Sequence, residues 1–169
     1  MSASILVTYA TRYGTTQEVA ETVTATLRER GLMVDIQPMR EVHTLEGYRA
    51  VVLGTALYAG HWHKDARRFL SRHHKALVER PLAIFTLGPV HADEKEWQGA
   101  HMQLDKELAK FPWLRPITVE IFGGAIVPAR MHFPFNHIPA ADVRDWTAIR
   151  TWASNLAAQP AMSRAGELV

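Results

Sequence analysis

The chain has 169 residues, a formal net charge of +2 and no cysteine. This length is typical of one domain, and the absence of cysteine excludes disulfides, thiolate nucleophiles, iron–sulfur clusters and cysteine-ligated zinc. The longest run without Asp, Glu, Lys or Arg, residues 50–63, is too short for a transmembrane helix. The first residues lack the basic flank and cleavage site of a signal peptide, so we expect a cytoplasmic protein.

The predicted elements alternate between strands and helices along the chain. Apolar runs predict five strands, at residues 4–10, 32–37, 50–55, 82–87 and 117–126. Helical spacing predicts four helices: one through Val19, Val23 and Leu27, one from Trp62 to Leu77, one between Asp93 and Phe111, and one that Asp142 caps and that runs to about Ala158. We expect a single domain over residues 1–169, with a frayed tail at 159–169.

This alternation indicates an α/β fold, in which helices cover both faces of a doubly wound parallel sheet. In such sheets a ligand binds beyond the carboxyl ends of the strands, at the point where the strand order reverses. The turns after residues 10, 55, 87 and 126 are therefore the candidate site.

The turn at residues 11–16 joins the first strand to the first helix and has the residue types of a phosphate site. Its hydroxyl groups, its glycine and the free N–H groups of the helix start can bind an anion. An alternative is a capping box between Thr15 and Glu18, which needs no ligand. The sequence lacks the motifs of P-loop, dinucleotide-binding and α/β-hydrolase proteins, and Thr11 and Thr55 stand where a response-regulator receiver needs acidic residues. A mononucleotide held mainly by neutral donors remains.

Within this turn, Thr11, Gly14 and Thr16 match the flavodoxin phosphate loop, T/S-x-T/S-G-x-T, whereas Tyr13 replaces its middle hydroxyl residue. The chain thus resembles flavodoxins, and the resemblance implies FMN as the cofactor and a five-stranded sheet in the order 2-1-3-4-5. Residues 54–64 and 122–125, the latter followed by a Pro- and aromatic-rich segment, resemble more narrowly the flavodoxin-domain group that includes menaquinone-dependent protoporphyrinogen oxidase.

A flavin ring needs flat or apolar walls and nearby backbone amides, and the turns after the third and fourth strands offer both. Trp62 is either part of such a wall or part of the core. The expected cofactor-binding residues are Thr11, Arg12, Tyr13, Gly14, Thr15, Thr16, Ala56, Leu57, Tyr58, Ala59, Gly60, Thr86, Leu87, Gly88 and Pro89. No side chain is assigned as a catalytic acid, base or nucleophile, because the flavin would supply the chemistry. No metal site is expected, because the histidines near Trp62 lack further ligands.

The positive charge is concentrated at residues 61–80, which hold six basic and two acidic residues. Lys64, Arg68, Arg72 and Lys75 are spaced to share one helix face. That face is either a solvated surface or a docking site for an acidic protein, an anionic membrane surface or a carboxylate-bearing substrate. Nucleic acid is not expected, because the basic stretch is short and has no accompanying motif.

Residues 127–141 are rich in proline and aromatic residues. Their apolar side chains either pack over the sheet edge or form an exposed lip for a hydrophobic substrate, a quinone or a second subunit.

The sequence therefore predicts an FMN-binding redox protein, and in particular a quinone-linked oxidoreductase of the protoporphyrinogen oxidase type. Two alternatives stay open: an FMN-dependent electron carrier without catalytic activity, and an interaction module that has lost FMN.

Overall fold

The computed structural model describes residues 4–166 and contains one main sheet with helices on both faces. The strands are β1 (Ile5–Tyr9), β2 (Val34–Pro38), β3 (Ala50–Tyr58), β4 (His61–Trp62), β5 (Leu82–Leu87), β6 (Thr118–Phe122), β7 (Ala125–Ile126) and β8 (Ala141–Asp142). The α-helices are α1 (Thr15–Glu29), α2 (Lys64–Arg72), α3 (His74–Val78), α4 (Glu94–Ala109), α5 (Trp146–Ala158) and α6 (Pro160–Gly166).

The five long strands pair in parallel in the order β2-β1-β3-β5-β6. Counted along the chain, these are strands 2-1-3-4-5, so the predicted doubly wound α/β fold is confirmed. β1 is an interior strand, since Ile5 lies opposite both Val34 of β2 and Ala50 of β3. The order reverses between β1 and β3, which places a ligand site beyond the carboxyl ends of these two strands.

Two apolar clusters cover the two faces of the sheet, and successive strand residues belong to opposite clusters. Val7 and Phe85 pack with residues of α1 and α5 on one face. Leu6 and Ile84 pack with residues of α2, α3 and α4 on the other face. Because both faces are buried, the strands need apolar residues at nearly every position, which explains the continuous apolar runs in the sequence.

The helix predicted from Trp62 to Leu77 is wrong in its start and its continuity. Trp62 lies in β4, which folds back antiparallel on β3 and pairs Trp62 with Leu57. The helix begins only at Lys64, after the His63 ring accepts a hydrogen bond from the Asp65 N–H. It ends at Arg72, and α3 follows His73 as a separate helix.

The last long helix also begins later than predicted. Asp145, and not Asp142, accepts the capping hydrogen bond from the Ala148 N–H. Asp142 lies in β8 opposite Ala125, so β7 and β8 form a small two-stranded sheet of their own. The strand predicted at 117–126 accordingly divides into β6 and β7.

The frayed tail predicted for residues 159–169 is wrong up to Gly166, because α6 packs on the sheet. Met162 is 0% exposed, and the Gly166 carbonyl accepts a hydrogen bond from the Met33 N–H. The remaining tail, residues 167–169, lies outside the described residues. No helix within residues 4–166 is both long enough and apolar enough to cross a membrane.

Candidate functional site

An apolar cavity of about 340 Å³ opens at the carboxyl ends of β1, β3, β5 and β6. The structure thus brings together the turns after residues 10, 55, 87 and 126. Residues expected to bind the cofactor contribute part of the lining, namely Arg12, Tyr13, Thr15, Ala56, Leu57, Tyr58, Ala59, Leu87 and Gly88. The other lining residues are not among the cofactor-binding residues expected from the sequence. They are Val90, Gly124, Ala125, Ile126, Val127, Met131, Phe135 and Ile138.

The loop at residues 11–16 forms one end of this cavity. Its backbone enters α1 through Gly14, which has a φ of 86°. The Gly14 N–H donates to the Thr11 hydroxyl over 2.9 Å, and no side chain caps the helix. The capping box between Thr15 and Glu18 is therefore not formed, since Thr15 is already the first helical residue. The uncapped helix start can accept an anion.

Two arginines from the segment before α5 lie against this loop. Arg130 donates to the Tyr13 carbonyl and to the Glu18 carboxylate, over 3.1 and 2.9 Å. Arg144 donates to the Thr15 carbonyl and to the same Glu18 oxygen, both over 3.2 Å. The hydrogen bond from Arg130, together with that from Arg144, holds the pKa of Glu18 below its usual value although burial opposes this. Neither arginine was predicted to belong to the site.

A tight hairpin forms the second wall of the cavity. β3 continues past Thr55 to Tyr58, and a two-residue turn at Ala59 and Gly60 leads into β4. Both turn residues have positive φ, 49° and 82°, as the right-handed twist of a two-residue hairpin requires. Glycine adopts this conformation freely, whereas Ala59 does so against its steric preference.

The Tyr58 hydroxyl connects the hairpin to the first loop, because it accepts a hydrogen bond from the Arg12 N–H over 3.1 Å. Burial raises the pKa of Tyr58, so the phenol is neutral at pH 7. This contact holds the first loop and the hairpin, which are far apart in sequence, at the mouth of the cavity.

The other end of the hairpin is fixed by a buried carboxylate. Glu107 of α4 is 1% exposed, and its Oε1 lies 3.0 Å from His61 Nδ1 and 2.6 Å from Lys110 Nζ. Burial acts to raise the pKa of Glu107, but hydrogen bonds from Lys110 and His61 outweigh it and hold that pKa below its usual value. A buried carboxylate at this position could not be recognised from the helical pattern of α4.

Residues 127–141 cover the cavity and also expose apolar surface, and binding of a substrate, a quinone or a second subunit by this segment stays a prediction. Val127, Met131, Phe135 and Ile138 line the cavity, whereas Phe133 points away from it and is 78% exposed. The segment returns across the sheet end, where the Val143 N–H donates to the Gly124 carbonyl. A side chain at Gly123 would collide with the Val143 carbonyl oxygen, so this return requires glycine.

The remaining expected cofactor-binding residues lie around the cavity and not in its lining. Thr16 and Thr86 are fully buried beneath it, and Gly14 lies under the Arg130 guanidinium. Thr11 faces an adjoining cleft, whereas Gly60 and Pro89 face a depression beside α4. Trp62 stacks on Phe111 with ring centroids 6.4 Å apart and is 1% exposed, so it belongs to the core.

The fold and the cavity place the chain in a known class. Residues 6–136 match the family model described as flavodoxin domain, and the chain belongs to this family.

Similar proteins agree with this assignment. The chain is 27% identical over 124 residues to protoporphyrinogen IX dehydrogenase (quinone) of Escherichia coli K12, covering 72% of this chain and 68% of the relative. It is 26% identical over 180 residues to the protein of the same name from Leishmania major, covering 94% and 77%. A flavodoxin mutant from Pseudomonas aeruginosa has the same fold, with a TM-score of 0.60, 17% identity, and coverage of 91% of this chain and 96% of the flavodoxin. The predicted resemblance to the flavodoxin-like family, near this dehydrogenase group, is confirmed.

Fold and family are those of flavodoxin-like redox proteins, and a flavodoxin domain implies a flavin cofactor. The residues of this chain fit such a group. The uncapped start of α1 can receive an anionic group, and the adjoining apolar cavity can receive a flat ring.

Proposed function

We propose that this protein binds FMN at the carboxyl edge of its sheet. The observation that supports this most strongly is the continuity of two features: the uncapped loop at residues 11–16 borders directly on the apolar cavity. Riboflavin would use the cavity alone, whereas FMN would use the cavity and the loop.

The residues that would hold the two parts of FMN follow from this arrangement. The phosphate would bind at residues 11–16, where the helix dipole and free N–H groups favour an anion. The ring would lie between the Tyr58 hairpin and the loop after β5, beneath residues 127–138. We propose that Thr11, Gly14, Thr15 and Thr16 belong to the phosphate-binding loop.

We further propose that the protein is an oxidoreductase that acts on a protoporphyrinogen-type substrate with a quinone as acceptor. The names of both similar proteins support this substrate and this acceptor. The chemistry that FMN would supply when bound is the transfer of hydrogen from the reduced substrate to the quinone. This chain has no cysteine for redox chemistry, so its own residues would bind, orient and shield the reactants.

Residues 127–141, which we call the cover, support the proposal of an enzyme that binds a hydrophobic molecule. Met131, Phe135 and Ile138 give the cavity a wall on the solvent side, and such a wall excludes water from a bound ring. Phe135 is 53% exposed, so part of this wall also offers apolar surface to a quinone or a substrate.

The cations on α2 and α3 form a separate proposal. Lys64, Arg68 and Arg72 on α2 and Lys75 on α3 are all exposed. We propose that they dock an acidic redox partner. Replacing Arg68, Arg72 and Lys75 with Gln should slow electron transfer at low salt, and unchanged kinetics would assign these residues to a solvated surface. A reducing compartment suits a chain without cysteine, and we propose the cytoplasm.

The test begins with cofactor uptake. The purified full-length chain is mixed with FMN, freed of unbound flavin and examined by visible absorption, and we expect a bound flavin spectrum at one FMN per chain. A colourless protein that takes up no FMN would overturn the proposal and favour an interaction module.

The FMN-loaded protein is then given protoporphyrinogen and menadione under anaerobic conditions, with porphyrin fluorescence as the readout. No porphyrin formation above the enzyme-free rate would favour an electron carrier.

A further inference from the structure

A second concave site, about 640 Å³ in volume, adjoins the apolar cavity and has a different lining. Four cations line it: Arg12 from the first loop, Arg40 from the turn after β2, and Lys64 and Arg67 from α2. We call this site the basic cleft. Three separate parts of the chain converge on it, so the cations do not come from a single charged helix.

The ion pairs of the described residues do not include these four cations. Within residues 4–166, none of them forms an ion pair with an acidic side chain. One carboxylate, Asp65, lines the cleft, and its Oδ2 lies 3.8 Å from His63 Nδ1. The basic cleft therefore carries excess positive charge that a bound anion would balance.

His63 lines the cleft together with these cations. The His63 ring lies 5.8 Å from the Tyr58 ring, and its Nδ1 accepts the Asp65 N–H. Burial lowers the pKa of His63, and the charges of Lys64, Arg12 and Arg40 lower it further against the opposing effect of Asp65. His63 and these three cations line the same cleft, so a ligand inside it would meet several of them at once.

The basic cleft adjoins the cavity proposed for the flavin ring. Arg12 and Tyr58 line both sites. An anionic group in the cleft would therefore lie next to the mouth of the cavity. Arg68 and Arg72 do not line the cleft, and with Lys64, Arg67 and Ser71 they line a wide surface on α2.

We propose that the basic cleft binds the carboxylate groups of a small, largely apolar substrate whose body reaches the mouth of the cavity. The concave shape and the shared residues favour a small molecule over an acidic protein or a membrane, each of which would meet the outer surface of α2. The inference rests on the proposed function in one respect, since it places the carboxylates of that substrate class beside the flavin.

Protoporphyrin IX is a suitable probe, because it carries two carboxylates and absorbs visible light. Its dimethyl ester has the same ring without the charges. Both are titrated into the full-length chain, with and without FMN, at the same low concentration of neutral detergent. We expect the diacid to bind at least about 10-fold more tightly than the ester, with the preference falling as salt rises.

Variants assign the preference to the cleft. Arg40→Gln and Arg67→Gln should each weaken diacid binding by about 2- to 5-fold, and the double variant by about 10-fold, with no effect on the ester. Arg68→Gln removes the same charge from the position next to Arg67 and should change binding less than 2-fold. Arg40 and Arg67 are exposed, so thermal melting should be unchanged in all variants.

Three outcomes would overturn the inference. The first is equal affinity for the diacid and the ester, and the second is equal losses in the Arg67 and Arg68 variants. The third is that Arg40→Gln/Arg67→Gln loses binding to phosphatidylserine vesicles while the diacid does not compete for that binding. The last outcome would assign the cations to a membrane surface. Failure of the proposed function would appear as a lack of FMN uptake, so it can be distinguished from failure of the cleft assignment. A chain that takes up FMN but does not prefer the diacid disproves the cleft assignment alone.

Discussion

Arg130 Nη1 lies 2.9 Å from Glu18 Oε1 and connects the segment that covers the cavity to the loop at its base. The same nitrogen donates to the Tyr13 carbonyl over 3.1 Å. A Cβ on Gly14 would be 3.4 Å from this nitrogen, so the guanidinium lies directly over the loop. The cover and the proposed phosphate site are therefore one connected structure.

Arg130→Gln should reduce FMN affinity without reducing riboflavin affinity. The guanidinium is one of the positive charges at this loop, beside those of Arg12 and Arg144, and riboflavin has no phosphate to receive it. Because Arg130 is partly exposed and the charge is screened, we expect about a 5-fold rise in the Kd of FMN. Quenching of flavin fluorescence measures both affinities. Arg150→Gln, an exposed position on α5, is the matched control, and a similar loss for riboflavin would contradict the prediction.

Glu18 should make the cover sensitive to acid. Its folded-state pKa is lowered, first by the hydrogen bond from Arg130, so its stabilisation is present above the ordinary pKa and is lost as the pH falls through the lower folded value. Glu18 is more than one third exposed, so the pair contributes on the order of 0.5 kcal/mol.

Glu18→Gln should imitate this loss at pH 7. Hydrogen exchange measured by mass spectrometry should become faster in residues 127–145 and stay unchanged in β3 and β5. Glu29→Gln, at the far end of α1, removes the same charge away from the cover. Unchanged exchange in residues 127–145 of the Glu18 variant would show that the pair does not hold the cover.

His73 should make the fold less stable in mild acid. Burial lowers the pKa of His73, and its buried Nε2 has no hydrogen-bond partner among the described residues. The unfolded chain takes up a proton near the ordinary pKa of about 6.5, before the folded chain does. Stability is therefore complete above pH 6.5 and falls as the pH drops from there toward the lower folded-state pKa.

His73→Asn should reduce this pH dependence, because asparagine does not titrate but can donate to the Val42 carbonyl, which accepts a hydrogen bond from His73. Burial also lowers the pKa of His63, so His63 should account for part of the dependence that remains. Urea unfolding at pH 7.5 and 5.5 measures the difference. His101→Asn, an exposed position on α4, should keep the dependence of the parent chain. A pH dependence as large in His73→Asn as in the parent chain would assign it to groups other than His73.

Phe135 and Phe133 should differ in their effect on flavin binding. Phe135 lines the cavity, whereas Phe133 is 78% exposed and does not. Phe135→Ala should weaken FMN and riboflavin alike, by about 5-fold, since it removes an aromatic contact of about 1 kcal/mol. Phe133→Ala is the matched control and should leave both affinities unchanged. Equal losses in the two variants would mean that the cover does not bind the ring through Phe135.

The sequence by itself determined the order of elements and the location of the candidate site. Strands buried on both faces must be apolar along their length, and the turn at 11–16 has few alternatives once the motifs of other nucleotide sites are excluded. Parallel strands bring their carboxyl ends to one edge, so the position of the first loop relative to Tyr58 and Gly88 followed from the fold alone.

Only the tertiary structure decided which charges meet. Arg130 lies 112 positions from Glu18, and His61 lies 46 positions from Glu107, so no local pattern connects them. The short strand at Trp62 likewise depends on pairing with Leu57, which overrides the helical spacing of its neighbours. Local propensity and apolar periodicity act over a few residues, whereas ion pairs, cleft walls and strand ends depend on segments that folding alone brings into contact.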